Sequence, residues 1–218
     1  MPHFPDATSF LFRDQTLWLH PLRAAYWEAA KTLLISDLHL GKAAHFRKAG
    51  IAAPRAVEDQ NLDRLVSLLL TFKPERVLLL GDLFHSDYNR AWEDWQDLVQ
   101  QFKTIQFELV PGNHDILTND FYTASGLLVR PLHYREGPFL FTHEPLDTDD
   151  AYNLCGHIHP GVLLEGGGRQ RLRLPCFFFG KNGGILPAFG AFTGLAILAV
   201  RKGDTVFGIT KDTVLPLT

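Results

Sequence analysis

Apolar runs alternate with amphipathic segments through the first half of the chain. Phe10 to Phe12 and Leu17 to Leu19 flank a short polar stretch, which predicts an N-terminal β-hairpin. Lys31 to Ser36, Arg76 to Leu80 and Ile105 to Val110 are short, mostly apolar runs that favour buried strands.

Two amphipathic helices are predicted between these strands. Ala56 to Phe72 carries apolar residues at three- and four-residue spacing, and Pro74 ends the pattern. Trp92 to Phe102 repeats apolar residues at the same spacing. Because strands that alternate with helices are typical of α/β proteins, we expect an α/β fold.

The helical signal fades after residue 130. Short apolar runs at 139–142, 152–155, 172–179 and 195–200 are separated by glycine-rich turns and predict a succession of strands. With 218 residues and 46% hydrophobic content, the chain can bury one large core. We therefore expect a single domain over residues 1–218, with its helices mainly in the first half.

Composition narrows the class of protein. A net charge of −3 argues against coating nucleic acid by bulk electrostatics, although a local basic groove stays open. The apolar runs are far shorter than the roughly 20 residues of a membrane-spanning helix, and the N-terminus lacks the pattern of a secretory signal. Two cysteines are too few for a disulfide framework. We expect a cytoplasmic protein with no membrane contact.

Histidines cluster in short motifs rich in Asp, Asn and Gly. Five motifs each follow a predicted strand, and they begin at Asp37 (DLH), Gly81 (GD), Gly112 (GNHD), Thr142 (TH) and Gly156 (GHIH). Asp and Gly also recur in ordinary strand-end turns, so one such motif alone indicates little. Together they place carboxylate, imidazole and amide donors at strand carboxyl ends, a donor set that suits Mn²⁺, Fe²⁺ or Zn²⁺. The sequence therefore predicts a metal site.

The order of these motifs resembles that of the calcineurin-like metallophosphoesterases, whose pattern is D-x-H, GD, GNH[DE], H and G-H-x-H. The resemblance implies a four-layer α/β/β/α sandwich with the metal site at the carboxyl ends of the strands. It also implies two divalent ions, Mn²⁺ in first place and Fe²⁺ or Zn²⁺ as alternatives. Asp82 would bridge the two ions. The implied ligands are Asp37, His39, Asp82 and His159 for the first ion, and Asp82, Asn113, His143 and His157 for the second.

Catalytic roles beyond metal binding are predicted for three residues. Two adjacent ions would activate a hydroxide to attack phosphorus. His114, beside Asn113, is then placed to stabilise or protonate the leaving oxygen, with Asp115 or His85 fixing its orientation. The segment Gly81 to His85 also resembles end-resecting nucleases of the same superfamily, in which the corresponding histidine supports the catalytic one.

Segments outside the ligand motifs resemble the bacterial ligase-associated DNA-damage-response endonucleases of the PdeM family. The resemblance rests on Asp37 to Ile51, Gly81 to His85, Thr142 to Pro145 and Leu186 to Gly194. It implies a phosphodiesterase that acts as a DNA endonuclease in repair. It further implies DNA as a partner and a functional association with a DNA ligase and helicase repair system.

Other functions stay open at this point. A small-molecule phosphoesterase, or a nucleotide or lipid-linked diphosphatase, could carry the same ligands. A non-catalytic module would show gaps in the ligand set, and none is missing. The basic segment Lys42 to Lys48 follows the first motif, and Arg169, Arg171 and Arg173 alternate with leucines. Both could follow a phosphate backbone, or the arginines could merely solvate an exposed strand face.

Overall fold

A computed structural model describes residues 4–42, 56–84, 90–191 and 193–218. The helices in these ranges are α1 (Ala56–Phe72), α2 (Arg90–Gln101), α3 (Asn119–Ala124) and a short 3₁₀ turn at Gly167–Arg169. The strands are β1 (Thr8–Phe12), β2 (Gln15–His20), β3 (Ala24–Trp27), β4 (Thr32–Ser36), β5 (Arg76–Leu80), β6 (Gln106–Val110), β7 (Leu127–Val129), β8 (Tyr134–Glu136), β9 (Phe139–Phe141), β10 (Tyr152–Cys155), β11 (Pro160–Glu165), β12 (Arg171–Phe179), β13 (Gly183–Ile185), β14 (Ala196–Ile197), β15 (Thr205–Ile209) and β16 (Val214–Pro216).

The first sheet contains β1 to β7 in sequence order. The strands from β1 to β4 are antiparallel neighbours, whereas β4, β5, β6 and β7 run parallel. Parallel strands end at the same edge of a sheet, so the chain segments that follow β4, β5 and β6 emerge side by side.

The inner strands β4 and β5 are mostly apolar because both of their faces are buried. Leu33 and Ile35 of β4 pack with the helices that cover one face, whereas Leu34 packs toward the second sheet. In β5, Leu79 likewise packs on the helix side and Leu80 packs toward the second sheet. Alternate side chains of a strand point to opposite faces, so a strand between two layers needs an uninterrupted apolar run.

The second sheet supplies the other wall of this core. Its main path runs β14-β11-β12-β13-β10-β9-β8, and β15 joins β12 and β16 outside that path. Phe139, Phe141 and Phe177 pack against the inner face of the first sheet. β9 and β10 are parallel, so the segments that follow them also leave at one edge.

A partly buried ionic network around Glu108 and Glu136 ties the two sheets together. Arg130 donates two hydrogen bonds to the fully buried Glu108 of β6, with N–O distances of 2.7 and 2.8 Å. Arg76 of β5 donates to Glu136 of β8 at 2.8 Å, and Tyr134 donates to the same carboxylate at 2.7 Å. Charges removed from water in this way need partners of this kind to be tolerated.

The expected four-layer α/β/β/α sandwich is confirmed as the fold class: the two sheets pack together, and α1 and α2 cover the outer face of the first sheet. Apart from Lys42, which is helical, the α-helical residues of the described part of the chain lie between residues 56 and 124, as the fading helical signal predicted. The N-terminal hairpin and the strands before the first three motifs are also confirmed. Among the described helices, none is long and apolar enough to cross a membrane.

The prediction of a strand over 195–200 was largely wrong, because only Ala196–Ile197 pairs. Leu195, Ile197 and Val200 are each more than a third exposed, so this apolar run does not enter the core. β3 was not predicted from the sequence, because its four residues are too few to show the alternation of apolar and polar positions that marks a strand. The single-domain expectation stays a prediction.

Candidate metal centre

The predicted ligands converge where strands of both sheets end. Asp37 directly follows β4, and Asp82 lies two residues after β5. Asn113 follows β6, while His143 and His157 follow β9 and β10. Thus the edge that parallel pairing creates in each sheet brings together side chains that are far apart in sequence.

One group of potential ligands comprises Asp37, His39 and His159, whose donor atoms lie within 4.8 Å of one another. His159 Nε2 is 3.2 Å from Asp37 Oδ1. Burial acts to raise the pKa of Asp37, but the hydrogen bond to His159 and the surrounding histidines outweigh it, so this pKa is lowered. The site therefore favours the carboxylate form that a metal requires.

The second group comprises Asp82, His143 and His157, again with donor atoms within 4.8 Å of one another. His143 Nε2 is 3.0 Å from His157 Nδ1 and 3.4 Å from Asp82 Oδ1. Asn113 Oδ1 also lies 3.0 Å from His143 Nε2. All four residues thus direct donor atoms at one small volume.

The orientation of His143 identifies which of its nitrogens faces that volume. Its Nδ1 lies 3.0 Å from the carbonyl oxygen of Leu80. A carbonyl only accepts hydrogen bonds, so Nδ1 carries the proton and a neutral ring directs the lone pair of Nε2 toward Asn113 Oδ1. Two acceptors that face each other at 3.0 Å are stabilised by a cation between them.

Asp82 lies between the two groups. Its Oδ1 is 3.4 Å from His143 Nε2, and its Oδ2 is 3.9 Å from His39 Nε2. The same side chain is almost completely buried, and its Oδ1 accepts a hydrogen bond from the backbone amide of His114 at 3.0 Å. This is the position that a ligand shared by two ions requires.

The turns that carry the predicted ligands have an unusual backbone conformation. Five of the predicted ligands have positive φ angles. Residues other than glycine adopt this backbone conformation rarely, and it costs about 1–3 kcal/mol each. The five are Asp37 (53°), His39 (50°), Asp82 (51°), His157 (65°) and His159 (53°). In that conformation a short turn can aim two side chains into the same volume.

Backbone hydrogen bonds hold two of these turns against each other. The amide of Asp37 donates to the carbonyl of Gly81 at 3.2 Å, and the amide of His39 donates to the carbonyl of Asp82 at 2.9 Å. Leu40 and Leu83 continue the pairing at 2.8 Å. The turns after β4 and β5 therefore behave as one unit.

Asp115 fastens the next turn to this unit. Its carboxylate accepts hydrogen bonds from the amides of Asp82 and Gly112, both at 2.8 Å, and from that of Leu83 at 3.1 Å. Burial raises the pKa of Asp115 to about 6; the nearby charge of Asp82 adds to this effect and the amide hydrogen bonds oppose it. The sequence suggested that Asp115 orients His114, whereas these hydrogen bonds are to backbone amides and position the turns that carry the predicted ligands.

His114 lies at the mouth of the site. Its side chain is 43% exposed, and its Nε2 is 4.0 Å from Asp82 Oδ2. His85 and the segment 43–48 lie outside the described residues. Lys42, the described end of the basic segment, is partly buried; burial lowers its pKa, while the charges of Asp82 and Asp37 oppose that shift.

Glycines form a cradle around the ligands. A Cβ on Gly81, whose φ is 76°, would lie 2.2 Å from His143 Nδ1. A Cβ on Gly112 would lie 2.3 Å from Asp82 Oδ1. Larger residues would therefore push these donors out of the site. Together with the mixed nitrogen and oxygen donors, this cradle fits a pair of divalent ions.

An open cleft of about 430 Å³ adjoins the second group of ligands. Asn113 and His143 form its floor, and Leu132, His133 and Pro145 line it. Leu132 and His133 could not be singled out from the sequence, because they belong to no motif and lie between two three-residue strands.

A metal site at the strand ends of an α/β sandwich, beside an open cleft, defines a metal-dependent phosphoesterase. The family model of the calcineurin-like phosphoesterases matches residues 30–185. The chain therefore belongs to that family, whose members use divalent metals, and the expected resemblance is confirmed.

Solved structures include a similar protein over the whole chain. Pseudomonas putida nuclease MPE, known from its crystal structure, is 31% identical in sequence to this chain. The two structures superpose with a TM-score of 0.84, and the alignment covers 97% of this chain and 100% of that one. Yfce, a phosphoesterase from E. coli, is 11% identical with a TM-score of 0.43, and the alignment covers 84% and 95%. No curated protein sequence matched the chain.

The glycine cradle can be tested by adding a single methyl group. Gly81→Ala should displace His143 and lower the metal content of the loaded protein, because the new Cβ overlaps the imidazole ring. Metal per chain is measured by mass spectrometry after gel filtration. Gly203→Ala is the matched control, since Gly203 also has a positive φ (97°) but its Cβ would meet no atom within 4 Å. Equal metal content in both variants would contradict the cradle.

Proposed function

We propose that this protein is a metal-dependent phosphodiesterase that cuts DNA at internal bonds. The observation that carries the proposal is the likeness to Pseudomonas putida nuclease MPE over nearly the full length of both chains. The two groups of predicted ligands at the strand ends support it, because each brings together three side chains that could hold a metal ion.

The ligand sets that the sequence predicted become part of this proposal. Asp37, His39 and His159 would hold one ion, and Asn113, His143 and His157 the other, with Asp82 shared. When bound, two such ions supply positive charge to the phosphate and lower the pKa of a water molecule. We propose Mn²⁺ as the metal, with Fe²⁺ and Zn²⁺ as alternatives.

The protein's own residues contribute orientation and a proton. The Leu80 carbonyl fixes the tautomer of His143, and Asp115 fixes the turn that carries Asp82. His114 is half exposed at the mouth of the site and close to Asp82, so it can reach the leaving oxygen of a bound ester. We propose that His114 donates a proton to that oxygen as the bond to phosphorus breaks.

The shape of the cleft supports a diester substrate. Leu132 and His133 line it and are both exposed, so a chain could continue past them beyond the reacting phosphate. Apolar Leu132 and Ile116 are 63% and 71% exposed near the motif that carries Asn113, and such side chains can pack against a sugar or a base. Participation in DNA repair, association with a ligase and helicase system, and a cytoplasmic location stay predictions from the sequence.

The role of His114 can be separated from metal binding. His114→Ala should retain the metal content of the wild type and cut DNA about 10²–10⁴-fold more slowly, the usual effect of losing a positioned acid. Bis-p-nitrophenyl phosphate should lose much less rate, since p-nitrophenolate leaves without a proton. Equal losses on both substrates, or loss of metal, would contradict the assignment.

The substrate class needs a direct comparison. We expect bis-p-nitrophenyl phosphate to be hydrolysed faster than p-nitrophenyl phosphate, and covalently closed circular DNA to be nicked, because a circle has no ends to attack. A Mn²⁺-loaded Asp37→Asn protein, purified in parallel, controls for contaminating nucleases, and a circular RNA of equal length tests the sugar. Preference for the monoester with an intact circle would instead indicate a small-molecule phosphoesterase.

A further inference from the structure

A second cleft, of about 310 Å³, is lined by residues remote in sequence from the ligand motifs. Arg23 follows β2, Arg64 belongs to α1, and Lys211 follows β15. Leu22 and Pro175 contribute apolar walls. No acidic residue is among those that line it within the described part of the chain.

The two arginines place like charges close together. Neither guanidinium forms an ion pair with a carboxylate of the described residues. Burial lowers the pKa of Arg64 to about 10, and the charge of Arg23 adds to that shift. Burial also lowers the pKa of Arg23. Both side chains nevertheless remain charged at neutral pH, so the cleft holds positive charge that is not neutralised by a described acid.

Backbone carbonyls accept hydrogen bonds from only some of the N–H groups of each guanidinium. Arg64 donates to the carbonyls of Phe189 and Leu22 at 3.0 and 2.9 Å. Arg23 donates to the carbonyls of Ala188 and Gly190 at 3.2 and 3.3 Å, and in both cases the donor is Nη1. Among the described contacts, Nε and Nη2 of Arg23 make no hydrogen bond, so they can serve a ligand.

We propose that this cleft is an anion-binding site for a phosphate group, with Arg23 and Arg64 as hydrogen-bond donors and Lys211 at the rim. Guanidinium groups bind tetrahedral phosphate oxygens through paired N–H donors, and apolar walls strengthen such bonds by lowering the local dielectric. Two guanidinium groups and an ammonium group match the charge of phosphate better than the single charge of a carboxylate. This proposal does not rest on the proposed nuclease function.

The arginines also contact the support of the metal centre. The amide of Phe189 donates to the carbonyl of Ser36, and that of Gly190 donates to the carbonyl of Asp37, both at 2.9 Å. Replacing Arg23 or Arg64 would therefore disturb a predicted metal ligand. Lys211 is exposed and makes no such contact in the described part of the chain, so it offers the cleaner test.

The test uses the full-length Zn²⁺-loaded protein and records the arginine Nε–H signals by NMR, with Arg23→Lys and Arg64→Lys serving only to assign them. Inorganic phosphate should shift both signals saturably. Lys211→Glu should weaken this binding about tenfold or more, the size of one charge-assisted hydrogen bond. Lys202→Glu, an identical charge change at an exposed position outside the cleft, should alter it by less than about twofold.

A parallel titration with dimethyl phosphate distinguishes the source of the anion. Equal or tighter binding of this diester would indicate a nucleic-acid backbone, and tighter binding of inorganic phosphate would indicate a free or terminal phosphate. Absence of saturable shifts at about 10 mM phosphate would overturn the proposal. So would equal weakening by Lys211→Glu and Lys202→Glu, which indicates diffuse attraction alone.

Discussion

The rest of the site depends on the left-handed backbone conformation of the turns that carry the predicted ligands. Asp37, His39, Asp82, His157 and His159 share it, and five such residues together cost about 5–15 kcal/mol. That sum is comparable to the whole stability of an ordinary domain. The conformation persists because packing and hydrogen bonds around the turns offset its cost.

Several features elsewhere in the molecule are explained by this requirement. Asp115 joins the turns after β5 and β6, while Gly190 lies so close to the turn after β4 that a Cβ there would be 2.8 Å from the Leu38 carbonyl. The parallel strands place the turns at one edge, and the second sheet brings His143 and His157 to the same place. Bound metal ions would add attraction between groups that otherwise crowd a buried volume.

The sequence was informative where one physical signal dominated. β4 and β5 could be predicted because burial on both faces demands continuous apolar runs, and the five motifs could be found because metal binding restricts residue type. The positive φ angles could not, since Asp and His do not signal a left-handed turn as glycine does. The hydrogen bonds of Asp115 to backbone amides and the proximity of Arg23 to Arg64 depend on tertiary packing. Such contacts cannot be predicted from a local sequence pattern.

We propose above that Asp82 lies between two metal ions and binds both. Crystals loaded with Mn²⁺ should give two anomalous difference peaks roughly 3.5–4 Å apart, the spacing of two-metal sites. One peak should contact His39 and His159, the other should contact His143 and His157, and both should contact Asp82. A single peak, or two peaks of which only one contacts Asp82, would contradict a shared Asp82.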